Sequence, residues 1–120
     1  MIGMVSGEKT TLLEFLGDSP LSRILDCLIE RRPFDTSKEE IIKGTGISRK
    51  SFFKVWKLVE KYDLVKETRI VDKSHMFVLN DTNEIVQKFL ALETILIKKA
   101  MEIASAIKSE NNFSEQEVEI

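Results

Sequence analysis

The sequence predicts a mainly α-helical chain with one small β-hairpin, and three observations carry this. Helix formers dominate, and only two prolines and five glycines interrupt 120 residues. Apolar residues recur at helical spacing in three long segments. Only between Lys66 and Leu79 does the period change to alternation, as strands require.

Residues 1–9 read as a loose tail. Thr10 to Leu16 is expected to form a helical turn carrying Leu12, Leu13, Phe15 and Leu16 into the core. Ser19 before Pro20 is a helix start, because serine caps and proline tolerates the first helical position. That helix runs to about Arg32, with Leu21, Ile24, Leu25, Leu28 and Ile29 on its apolar face, and Pro33 stops it. Cys27 sits among them and reads as a small buried residue, since no histidine or local cluster would activate a thiol.

Ser37 and Glu40 form a capping box, which satisfies two orphan backbone donors reciprocally. The helix they open, Lys38 to Lys43, is short and ends at Gly44-Thr45-Gly46. Ile47 plugs the turn. Ser48 caps a second helix that extends to about Tyr62. On it Phe52, Val55, Trp56 and Val59 face a core. Arg49, Phe53 and Lys57 form an outer row, with Lys50, Lys54 and Lys61 beside it. For Phe53 two roles stay open: packing on a thymine methyl, or covering a neighbouring element. A short helix, a glycine-bearing turn and a longer basic helix are the layout of a helix-turn-helix, whose second helix enters a DNA major groove.

After Asp63-Leu64-Val65, residues 66–71 and 76–79 read as two strands. The polar link Asp72-Lys73-Ser74-His75 makes them a hairpin. A hairpin directly after such a helix is the wing of a winged helix. Lys73 and His75 at its tip, and Arg69 on its first strand, are within reach of a minor groove or flanking phosphate. His75 lacks partners for a metal site.

Asp81 with Glu84 is expected to cap a last helix, about Thr82 to Ser109. Ile85, Phe89, Leu92, Leu96, Ala100, Ile103 and Ile107 form one stripe. It repeats every eleven residues, a period that keeps a stripe nearly straight along a helix. Val86, Leu90, Ile97, Met101 and Ala104 widen it. A small domain cannot cover so long a helix, so its outer half is expected to bury itself against a second copy, with Phe89, Leu92, Leu96, Ala100, Ile103 and Ile107 as the dimerisation residues. The alternative is a helix folded back on its own domain. The organisation expected is a winged helix-turn-helix over 10–80, a dimerisation helix over 81–109, and an acidic disordered tail over 110–120.

The net charge is −2, but its distribution is uneven. Between Lys43 and Lys73 nine basic residues face four acidic ones, a net of +5, which leaves −7 elsewhere. A basic patch on an acidic body can hold a phosphate backbone. The alternative is a lysine-rich solvated helix. One cysteine and one histidine exclude an internal disulfide and the usual Cys/His zinc sets. No cofactor is implied. No secretory leader and no stretch of about 18 apolar residues is visible, so no membrane association and a cytoplasmic location are expected. An enzyme is not expected: there is no nucleophile–base pair, no clustered carboxylates and no phosphate loop.

At residues 12–92 the chain resembles the archaeal winged-helix transcriptional regulators of the broad MarR/ArsR-like group. LLEFLGDSPLSRILDCLIERRPFDTSKEEII resembles their opening helix and linker. GTGISRKSFFKVWKLVEKYDLVKETRIVDKSHMFVLN resembles their turn, recognition helix and wing. The resemblance places Ser48, Arg49, Lys50, Ser51, Phe53, Lys54 and Lys57 at groove-facing or phosphate-contacting positions. Thr45 departs from the leucine common there, and the wing tip lacks a glycine. The paired Cys or His ligands of metal-sensing relatives are missing. The expected function is a sequence-specific regulator that binds double-stranded DNA as a homodimer, its effector unread. The competing expectation is a winged-helix assembly module without specific DNA binding.

Overall fold

The structure, a computed structural model, describes residues 10–118, with side chains described from Thr10 to Lys108. Helices α1 (Thr11–Leu16) and α2 (Pro20–Arg31) come first, followed by strand β1 (Thr36–Ser37). Helices α3 (Lys38–Thr45) and α4 (Arg49–Lys61) follow, then strands β2 (Val65–Val71) and β3 (Ser74–Leu79). A long helix α5 (Glu84–Val118) closes the chain. The sheet is antiparallel in the order β1-β3-β2. The core lies between the helices and β3 and contains Ile24, Leu28, Ile41, Phe52, Trp56, Val59 and Phe77.

Local chemistry accounts for most element boundaries. Ser19 and Ser48 accept hydrogen bonds from the backbone N–H three residues on, at 3.1 Å each, and so cap α2 and α4. The Ser37/Glu40 capping box forms as expected. At the C-terminus of α4 the Leu64 N–H donates to the Val59 carbonyl and the Asp63 N–H to that of Glu60. Asp63 adopts φ +56° between them. This is a Schellman motif, and its apolar contact is the buried pair Val59 and Leu64. It turns the chain out of α4 and straight into β2.

Three expectations change. Leu12 and Leu13 of α1 are buried, but Phe15 and Leu16 are exposed. A six-residue helix buries one face, and Leu12 and Leu13 fill it. A third strand, β1, pairs Thr36 with Phe77 and Ser37 with Met76. Two residues are too few to show alternation, and Ser37 also caps α3 while the Thr36 hydroxyl donates to Glu40 of the capping box. The hairpin turn is only Asp72-Lys73, both at positive φ, as a two-residue primed turn demands. Ser74 and His75 therefore stand on β3 and not at the tip.

The last helix differs at both ends. Asn83, not Asp81, caps it: the Asn83 Oδ1 accepts from the N–H of Ile85 at 2.7 Å and of Val86 at 3.3 Å. Asp81 instead pairs with Lys66 at 3.2 Å. The helix is described to Val118, beyond the end near Ser109 that the sequence suggests. Residues 1–9 and 119–120, the rest of the expected tails, lie outside the described residues. At 35 residues α5 is about 52 Å long. Its first half packs on its own domain. Val86 is buried, and Phe89, Leu90 and Leu96 lie against the core. Leu92 and Ala100 are half-buried, and every described residue from Met101 to Lys108 is exposed.

Beside α5, burial pushes the Asp26 carboxyl above the ordinary range. A hydrogen bond from Thr10 opposes this shift, and the Glu93 charge adds to it. Burial also pushes the half-buried Cys27 thiol up, in keeping with an unreactive packing role. Among the described residues no helix is long and apolar enough to cross a membrane.

Candidate nucleic-acid interface

The geometry of α4 follows from its inner face. Phe52 and Val59 are fully buried and Trp56 nearly so. The Phe52 ring stacks on Trp56 at 5.2 Å, and Trp56 meets Phe77 of β3 edge-on at 5.2 Å. Three buried large side chains at helical spacing fix the rotation of α4, each worth about 1.5–3 kcal/mol. The opposite face is thereby presented outward. Arg49, Lys50, Phe53, Lys54 and Lys57 are exposed on it, and Ser51 is half-buried. Ser48 is exposed, but its hydroxyl is engaged as the helix cap.

The turn before α4 is held from two sides. Gly46 adopts φ +74°, the left-handed conformation that ends α3. Arg23 Nη1 donates to the Thr45 carbonyl at 2.8 Å, placing a cation at the C-terminus of α3. The Thr45 hydroxyl donates to the Ile41 carbonyl at 2.7 Å, closing the end of α3 from within.

Phe53 covers its neighbours with one side of its ring and leaves the rest open. It meets Phe52 edge-on at 5.1 Å and remains 39% exposed. The Arg49 guanidinium carbon lies 5.5 Å from its ring centroid. Lys38 sits over Phe53, Trp56 and Phe77 at 5.6–5.9 Å and covers the aromatic cluster from α3.

Arg49 and Arg69, the two arginines among the candidate contacts, are both engaged by carboxylates. Arg49 Nη1 donates to both oxygens of Glu39 at 2.7 Å. Arg69 donates from Nε and Nη2 to the two oxygens of Asp35, at 2.8 and 3.1 Å. A bulge between Glu67 and Arg69 leaves Thr68 as an extra residue in β2. It lets the consecutive side chains of Thr68 and Arg69 both reach Asp35, which a regular strand would forbid. Arg69 first, and Thr68 second, hold the Asp35 carboxyl down at about 2, so the clamp is ionised at any physiological pH. Arg69 thus ties the wing to the segment before β1. His75 pairs with Glu67 at 2.9 Å. Lys73, on the turn, is exposed.

Sequence reasoning missed Asp35, Glu39 and Lys38. No local signal marks the first two, since their partners lie 34 and 10 residues away. Lys38 follows a helix cap, where a solvated lysine is ordinary.

No family model matches the sequence, and no curated protein matches it. Among solved structures the fold is similar to that of MepR, a transcription regulator of the Staphylococcus aureus multidrug efflux pump MepA. The TM-score is 0.57 at 11% identity, over 88% of this chain and 81% of that chain. The shared architecture is a winged helix with a small antiparallel sheet and a long C-terminal helix.

Proposed function

We propose that this chain is a DNA-binding transcription regulator that acts as a homodimer in the cytoplasm, with α4 as its recognition helix. The observation that carries the reading is the outward face of α4. Arg49, Lys50, Phe53, Lys54 and Lys57 project from a helix whose rotation is fixed by Phe52, Trp56 and Val59. Arg49 and Lys50 start the helix, where side chains meet base edges, and Lys57 two turns on meets phosphate. The winged-helix fold shared with a transcription regulator supports the class. The uncovered end of α5 supports a second copy as partner. The exposure of Lys73 on the wing turn supports a contact with a flanking phosphate.

One observation favours a different reading, an assembly module. Arg49 and Arg69 are both held by carboxylates of the same chain, which reduces the positive charge offered to DNA. Binding to a duplex recovered from a random pool, measured over a range of salt, separates the two. A regulator binds with an affinity that falls steeply with salt, whereas an assembly module shows no appreciable affinity. Arg49→Ala should cost about 1–3 kcal/mol on the recovered site and relax the preference at one base pair per half-site. Lys57→Ala should weaken binding to all sequences alike and lower the salt slope by about one. Equal losses for both variants on specific and random DNA would remove these assignments.

A further inference from the structure

We propose that Glu39 is a positioning residue that makes Arg49 a reader of base edges and a poor ligand for phosphate. The inference rests on the DNA-binding reading of α4. It starts from which nitrogens each arginine commits. Arg69 spends its Nε and Nη2 edge on Asp35, and that edge is the fork that grips two acceptors at once. Arg49 spends only Nη1, which donates to both oxygens of Glu39. Its Nε and Nη2 edge carries no hydrogen bond among the described residues. The Phe53 ring supports the guanidinium from a third direction. Arg49 is therefore a long, flexible side chain fastened at one corner and rested on one face, with its two-toothed edge left open. The acceptor pair that matches such an edge in a major groove is O6 and N7 of guanine.

The same carboxylate discourages phosphate. The Arg49–Glu39 pair carries no net charge, so it contributes little to counterion release when α4 approaches any duplex. Both partners are about 60% exposed, 61% for Arg49 and 62% for Glu39, so the pair is too weak to lock the arginine away. Its effects are to orient the side chain, which reduces the entropy lost on specific contact, and to cancel a charge, which reduces attraction to non-specific DNA. Charge cancellation acts on every duplex, whereas orientation acts only where Arg49 reads a base, so the ratio of specific to non-specific affinity isolates the second effect.

The test compares wild type, Glu39→Gln and Glu39→Ala on two probes: a duplex recovered from a random pool by the wild type, and random-sequence duplex. Both variants should bind random duplex about threefold more tightly, with a salt slope steeper by about one per protomer. On the recovered duplex Glu39→Ala should bind about threefold more weakly, and Glu39→Gln, which keeps one acceptor for Nη1, less so. The ratio of recovered to random affinity then falls by about tenfold for Glu39→Ala. In an Arg49→Ala background that ratio should not fall further when Glu39 is replaced. A ratio unchanged by Glu39→Ala, or one that falls equally without Arg49, overturns the proposal while leaving the DNA-binding reading intact. Wild-type protein with no salt-dependent binding to any duplex removes both.

Discussion

Replacing Ile103 and Ile107 together with glutamate is expected to convert a dimer into a folded monomer. Both side chains are exposed in the single chain, at 57% and 53%, and Met101 beside them is at 66%. Every described residue from Met101 to Lys108 is exposed, which leaves the apolar stripe here open to a second molecule. In a symmetric dimer each substitution occurs twice, and each places an unpaired charge in the interface. The combined loss should be at least about 4 kcal/mol, roughly a thousandfold in Kd. Leu96 would be a poor choice, because it packs against the core of its own domain and its loss would disturb the monomer as well. Sedimentation at micromolar concentration should show a wild-type dimer and a variant monomer with unchanged helical circular dichroism. A wild-type monomer would remove the dimer, and with it the symmetric mode of reading DNA.

Trp56→Ala should be the most damaging single substitution to the fold. Trp56 is 2% exposed and joins Phe52 of the same helix to Phe77 of the central strand. Truncation removes the ring contacts on both sides and opens a cavity beneath α4, at a cost of about 3–5 kcal/mol. That is a large fraction of the 5–15 kcal/mol typical of a small domain. Urea denaturation should show a lower midpoint with little change in slope. Trp56→Phe keeps an aromatic ring against both neighbours and should lose much less. A Trp56→Ala protein as stable as wild type would mean that α4 is held by something other than this cluster.

The helices were largely legible in the sequence because their signals are local. The serines at 19, 37 and 48, the glycine turn at 44–46 and the stripe Phe52-Trp56-Val59 each act within a few residues. The outward face of α4 followed from the inward one. What was not legible depends on contacts between distant segments. β1 exists only because β3 lies beside it. The Asp35 clamp needs a bulge in β2 that only the paired register reveals. Arg69 reads as a wing contact in sequence, and nothing local reveals that it also bonds Asp35, 34 residues away. The cap of α5 went to Asn83 over Asp81 because Asn83 also reaches the Tyr62 and Asp63 carbonyls, at 2.8 Å each, which ties the helix start to the end of α4. The stripe on α5 was visible. So was the expectation that its outer half lies beyond the reach of the domain, but the point at which home packing stops, before the exposed run from Met101 to Lys108, was not, because that depends on where the domain stops.

Footprinting on a duplex recovered from a random pool tests the central claim most directly. A two-fold dimer presents two identical copies of α4. Both enter major grooves on one side of the duplex only if the half-site centres lie about 10–10.5 bp apart, or a multiple of that. The length of α5 suits a larger multiple, since it can hold the two winged domains well apart. The predicted result is two protected half-sites related by an inverted repeat and in phase with the helical turn, with Arg49→Ala losing protection at one base pair in each. A single protected half-site, or direct repeats with no two-fold relation, would contradict it.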